Sequence, residues 1–294
     1  MCDSLLHICN RGTEVMVSRS TGKVKLTIST DRKFEDPRGR SFPMAYSYRK
    51  DRVHWIGIHK LLPNVAVDDF KNRLELLVTK SLGFPVVQNL IQLDFIISNN
   101  VLDNYVEAAG LPAPRPIVLS RGEYATRDHV VQIAEDPGVQ LLVQQAPELK
   151  TGQNLSVLVA DSMVLMDKES QTNSNNRVHR FVIHEVPDGV APQECEKKLA
   201  AISERFNKLA VFQKNVLRRT VFATSVDNLD SAMHQLDFQI AKHAFIYHAE
   251  YENRDTMIEL VNSAEYKQAL AEMKKICNVT MFCADIVSTK LNEN

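Results

Sequence analysis

Apolar and polar residues alternate in strand-length bursts from residue 54 onward. HWIGIHKLL reads as an apolar-rich strand whose alternation puts His54, Ile56 and Ile58 on one face and Trp55, Gly57 and His59 on the other. The period then changes. In DDFKNRLELLVTKSLG, Phe70, Leu74, Leu77 and Val78 share one side of a helix, with Gly83 placed as the residue that ends it. LIQLDFIIS and PIVLSRGEY are strand-like, RDHVVQIAED begins a second helix, and LSVLVADSMVL is a closing strand. The order is βαββαβ, which predicts a four-stranded antiparallel sheet with both helices on one face.

The same pattern returns. RVHWIGIH at residue 52 matches RVHRFVIH at an offset of 125 residues, and QNLIQLDFIIS matches KNVLRRTVFAT at 126. EYATRD matches EYENRD at 127, and LVAD lies over FCAD at 124. Four blocks in one order, with offsets drifting by no more than three residues, mark an internal duplication. The second copy supplies its helices from ECEKKLAAISERFNKLA and DTMIELVNSAEYKQALAEMKKI. A sheet with one bare apolar face is costly in water, and a second copy in the same chain can cover it. The expected fold is therefore α+β, with two ferredoxin-like repeats packed sheet to sheet within one chain. Residues 51–166 and 177–294 form the repeats, and the polar segment 167–176 links them. Residues 1–50 form an extension with a β-hairpin around Thr21-Gly22, expected to cover a sheet edge or a cavity mouth.

Composition narrows the function classes. The 294 residues are 44% hydrophobic and 24% charged, as in a globular protein, and the net charge of -1 offers no field to recruit nucleic acid or an anionic membrane. Apolar runs fall short of the ~20 residues that cross a bilayer, and the start lacks the features of a secretory leader. Five scattered cysteines without CxxC spacing argue against disulfides and structural zinc, and fit a reducing, cytoplasmic setting. No P-loop, GxGxxG, GxSxG or HExxH is present. His54 and His59 point to opposite faces and cannot chelate one ion together, so no metal site is expected.

HWIGIHKL and HRFVIHEV, with HAFIYHAEYENRDTMIELVNSAEYKQAL, resemble the dimeric α/β-barrel superfamily, in particular its stress-responsive A/B barrel (Dabb) and EthD-like members. The chain resembles a tandem, single-chain version, over roughly residues 50–165 and 177–291. In relatives with polyketide cyclase or dehydratase activity, a first-strand His and a Y-x-x-H-P-x-H stretch of the last helix line a cavity. The resemblance places the first-strand His at His54 and His179. The helix stretch falls on Ile133, Asp136, Pro137 and Val139 in the first copy, and on Leu260 and Tyr266 in the second. Neither copy keeps the Tyr and His pair.

The second copy concentrates the ionisable groups. KHAFIYHAEY alternates His248 and Glu250 on one face with Tyr247 and Tyr251 on the other. The expectation is a cofactor-independent cyclase, dehydratase or isomerase acting on a small hydrophobic or aromatic, polyketide-like or terpenoid-like molecule. His179 is the base, His54 and Tyr266 its partners, and Tyr251 orients the substrate. Phe181, Ile56, Ile58, Tyr247, His248 and Tyr124 line the site. The alternative is a non-catalytic, stress-responsive barrel that holds a small molecule. A third reading is a haem-binding barrel with His234 as axial ligand. The chain is expected as a monomer with an internal pseudo-dimer, or as a homodimer. EY-x-x-RD reads as a structural block at a helix start, and Asp161 and Asp285 as equivalent positions in the closing strands.

Overall fold

The computed structural model describes residues 6–10, 13–20, 23–29, 47–61, 65–112, 116–146, 155–168, 177–224, 236, 239–241 and 243–290. The expected linker, but for Asp167 and Lys168, and His234 lie outside them. The chain divides into two compact units, Met1–Ala45 and Tyr46–Asn294. In the first, β2 (Thr13–Ser20) and β3 (Lys23–Ser29) form the expected hairpin, with Ser20 opposite Lys23. A further strand, β1 (Leu6–Asn10), pairs with β2.

The second unit runs β4 (Ser47–Lys60), α1 (Val67–Ser81), β5 (Leu90–Asn99), α2 (Asp103–Ala108), β6 (Ile117–Tyr124), α3 (Arg127–Glu135), α4 (Pro137–Gln144) and β7 (Leu155–Asp167). It continues with β8 (Val178–Glu185), α5 (Pro192–Asn207), α6 (Ala210–Asn215), β9 (Val216–Thr224), β10 (Gln239–Ile240), β11 (Ala244–Tyr251), α7 (Arg254–Asn262), α8 (Ala264–Met273) and β12 (Asn278–Lys290).

Eight antiparallel strands close into a barrel in the order β7-β4-β6-β5-β12-β8-β11-β9, and β9 pairs back onto β7. The sheets do not simply lie face to face, as expected; they are sewn edge to edge. β12 pairs with β8 through Ala284 and with β5 from Cys283 to Lys290, and β7 likewise serves β4 and β9. These strands have 13 residues each, long enough to leave their own sheet and pair across the seam. Closure removes the open edges that would otherwise recruit other chains.

Two layers of core follow. One cluster draws on all eight barrel strands, including Ile56, Ile58, Ile96, Leu119, Leu158, Phe181, Ile183, Phe222, Ile246 and Phe282, and fills the barrel interior. The other lies between the first four barrel strands and their helices, where Phe70, Leu74, Val130 and Ile133 meet Val53, Leu93 and Val118. A strand between two cores is buried on both faces. All eight residues of β11 are buried, which is why its sequence shows ionisable side chains in both directions rather than a wet polar face.

The helices depart from expectation in three ways, the first being that α2 and α6 add to the two helices expected in each half. Each expected last helix is split. Asp136 stands extended before Pro137, whose ring disfavours a helical residue ahead of it, and the Asp136 side chain caps α4. In the second half, Ser263 is extended and its hydroxyl accepts the N–H of Tyr266. Gly83 follows α1 but does not adopt the left-handed conformation; positive φ is confined to Gly110 and Gly189 among the described glycines.

The EY-x-x-RD block does start a helix each time. Its caps are Thr126 and Asn253, while Asp128 and Asp255 sit in the first turn. Asp161 accepts Arg127 through both oxygens at 2.8 Å, and Asp285 accepts the side-chain amide of Asn99 at 3.0 Å.

Candidate functional site

The alternation read from the sequence is correct, but it divides the expected constellation. His54, Ile56, Ile58, His179, Phe181 and His248 face the barrel interior. Tyr124 joins the helix-side core of the first half, and Tyr247 and Tyr266 line a cavity on the helix side of the second, with Tyr251 beside them over Arg180. Residues on one strand face cannot cooperate with residues on the other through a packed sheet. His179 and His54 therefore do not share a cavity with Tyr266 and Tyr251. The two histidines are also held apart from each other: the His54 imidazole is hydrogen-bonded to Ser162 at 2.9 Å, and that of His179 to His248 at 3.1 Å.

The interior carries a polar layer at one end. The Arg121 Nε donates to Asp94 at 2.8 Å, and Ser288 and Gln92 also donate to that buried carboxylate. Arg177 pairs with Glu250 at 2.9 Å, opposite His179 in register. His248 stacks flat on Phe181, with ring centroids 4.4 Å apart. Burial lowers the proton affinity of both His179 and His248; for His179, Glu250 opposes this and Arg177 reinforces it. Both imidazoles are neutral at neutral pH.

The helix side of the second half holds a different chemistry. β8 contributes Arg180 and His184, β9 contributes Arg219, β11 contributes Tyr247, and α8 contributes Tyr266 to one cavity. It has about 30 Å³ of room for water-sized occupants, enough for a water or two. Arg180 and Arg219 are only 4% and 5% exposed, and guanidinium stays charged at any physiological pH. No carboxylate lines the cavity. Aromatic faces surround the charges instead: Arg180 lies 4.9 Å from the Tyr266 ring and 5.3 Å from that of Tyr251, and Arg219 lies 4.7 Å from that of Tyr247. Arg219 also donates to Asn207, while Nε and Nη1 of Arg180 have no hydrogen-bond partner.

His184 stands between these groups with neither ring nitrogen hydrogen-bonded. Burial, and then the Arg219 charge, push its pKa down to about 3, so it is a neutral imidazole. Burial raises Tyr247 to about 12 and raises Tyr251 and Tyr266 as well, keeping their hydroxyls protonated as donors.

Sequence reading missed Arg180, His184 and Arg219. A signal was present for the two arginines: at the offsets of the matched blocks, Arg180 aligns with Trp55, Arg219 with Leu93 and Tyr266 with Val139, whereas His184 aligns with His59 and gave none. Three apolar residues of the first half thus align with two cations and a phenol.

No family model matches the chain, and no curated protein matches it. Solved structures do. An anthrone oxidase-like protein superposes with a TM-score of 0.54 at 7% identity, covering 84% of this chain and 97% of its own. A candidate monooxygenase from Fusobacterium nucleatum subsp. nucleatum follows with 0.46 at 12% identity, covering 81% and 94%. A chlorite dismutase variant from Candidatus Nitrospira defluvii gives 0.38 at 9%, covering 80% and 91%. The first likeness establishes a shared α+β barrel fold. At such identity it carries no chemistry.

Proposed function

We propose, from this barrel fold and its cavity, that the chain is a cofactor-independent acid–base enzyme acting on a small hydrophobic or aromatic molecule that carries an acidic oxygen. The observation that supports the reading is Arg180: a buried cation with no carboxylate beside it, facing a cavity. A buried charge without a counter-anion costs several kcal/mol, and the charged oxygen of a carboxylate, phenolate or enolate reaching into this small cavity would offset that cost. Arg180 and Arg219 would hold the oxyanion, Tyr247 would donate a hydroxyl hydrogen bond to it, Tyr266 would do so on turning from Met281 Sδ, to which it donates at 2.9 Å, and His184 would take the proton from carbon. The arriving negative charge raises the proton affinity of His184, so the base is activated by its own substrate. Returned to a different carbon, the proton completes an isomerisation; given to a β-hydroxyl as its C–O bond breaks, it completes a dehydration with loss of water; and given to a carbonyl oxygen as the carbanion adds to that carbonyl carbon, it completes a cyclisation of a polyketide-like molecule.

The test uses the full chain with a panel of small aromatic and β-keto carboxylates, by calorimetry and by NMR in D₂O. Binding should weaken by about tenfold or more in Arg180→Met, equivalent to roughly 1.4 kcal/mol or more. His184→Gln should keep binding and lose carbon–deuterium exchange. Equal binding by the parent and Arg180→Met would refute the site. A second reading, a non-catalytic holder of a small anion, draws support from the cavity's modest volume of about 30 Å³. It predicts Arg180-dependent binding with no exchange at all.

The halves 51–166 and 177–294 would be copies of one ancestral unit, diverged so that only the second keeps a charged cavity. Two observations support this. The strand order 7-4-6-5 in one half parallels 12-8-11-9 in the other, and the ion pair Arg52–Glu123 recurs at the repeat offsets as Arg177–Glu250.

A further inference from the structure

β8 and β11 present a second group of ligating side chains on their interior faces, opposite the cavity. Glu250 lies across from His179 in register, and His248 is two residues along the same strand on the same side. One nitrogen from each imidazole and one carboxylate oxygen lie within 4.8 Å of one another. We propose that His179, His248 and Glu250 bind a divalent transition-metal ion.

Two imidazoles and one carboxylate suit zinc, iron(II), cobalt(II) or nickel(II) better than calcium or magnesium, which prefer oxygen ligands throughout. Ligation requires bare nitrogens. The Nδ1 of His179 and the Nε2 of His248 face each other at 3.1 Å, sharing one proton. That proton has only to move to the other nitrogen of its own ring for both facing atoms to become ligands. Small side-chain rotations then bring the three donors to about 2.1 Å from a common point.

The surroundings hold the donors in place. Phe181 stacks on His248, and Arg177 grips Oε2 of Glu250 at 2.9 Å, as groups outside a ligand set commonly orient it. The set occurs once among the described residues. At the repeat offset the first half has Arg121 in place of His248, so His54 turns to Ser162 and no chelating pair forms. Three donors leave coordination positions for water or an oxygen-bearing ligand.

Chelator-treated full-length protein would be titrated with cobalt(II) at neutral pH, followed by visible absorption and calorimetry. One ion per chain is expected, with ligand-field bands of mixed nitrogen and oxygen coordination. His248→Ala should weaken binding by about 100-fold or more, since outer partners alone are worth 10–100-fold. Glu250→Gln, which keeps the side-chain shape, should weaken it comparably, and His129→Gln should leave it unchanged. Circular dichroism reports whether His248→Ala folds; if it does not, Glu250→Gln decides. Absence of stoichiometric binding, or binding unaltered by the folded ligand variant, overturns the site.

Discussion

His59 shows what the fold does to a single titratable side chain. Its ring lies against Phe70, near the Ser120 hydroxyl at 3.2 Å, and burial pushes its pKa down to about 4. The unfolded chain, with an ordinary imidazole near 6.5, binds the proton more readily than the folded one. Stability is therefore complete above pH ~6.5 and is lost as pH falls from there towards 4. A shift of this size corresponds to something on the order of 3 kcal/mol, and His184 adds to it in the same direction because its pKa also lies low. Urea unfolding of His59→Gln across pH 4 to 6.5 should give a shallower slope of stability against pH than the parent. Parallel slopes would show that His59 takes up no extra proton on unfolding. At this scale alternation told which residues share a face with His59, but not which face would look into the barrel. Both faces carry a histidine and aliphatic neighbours, so local pattern is silent on the choice.

At the scale of elements, the β5–β12 seam depends on more than backbone pairing. Asp94 of β5 is 1% exposed and receives hydrogen bonds from Arg121 of β6 and Ser288 of β12, joining three strands through one carboxylate. Truncating it strands Arg121, which sits over the Phe222 ring inside the barrel. Removing one partner of a buried pair costs about 3–5 kcal/mol. Asp94→Ala should therefore lower the denaturation midpoint by that much in free energy. A loss under about 1 kcal/mol would mean water replaces the carboxylate freely. Strand positions were legible, because runs such as LIQLDFIIS have the length and β-branched content of strands. The helix breaks were half legible. Pro137 announces one, whereas Ser263 looks like any helical serine until its side chain is seen capping α8.

For the whole molecule, closure makes the halves interdependent. A segment 177–294 alone would leave Asp285–Lys290 of β12 and the outer edge of β9 without partners, and would bare Phe181, Ile183, Ile246 and Phe282. Expressed by itself, it should not persist as a folded monomer, because it would expose apolar surface and strand edges together. Size-exclusion chromatography with circular dichroism checks this, and a folded, monodisperse monomer would contradict it. No helix among the described residues is long and apolar enough to cross a membrane.

The sequence by itself determined the strands, most of the helices and the pairing of side chains on each strand face, since these depend on local period and on residue shape. Only the tertiary structure decided that His179 meets His248 and Glu250 in the interior while Arg180, His184 and Arg219 meet Tyr247 and Tyr266 outside it. Each group is drawn from separate strands or helices, and a chemical site exists only where closure brings such elements within a few ångströms of one another. Periodicity assigns a side chain to a face; it carries no information about what will be packed against that face.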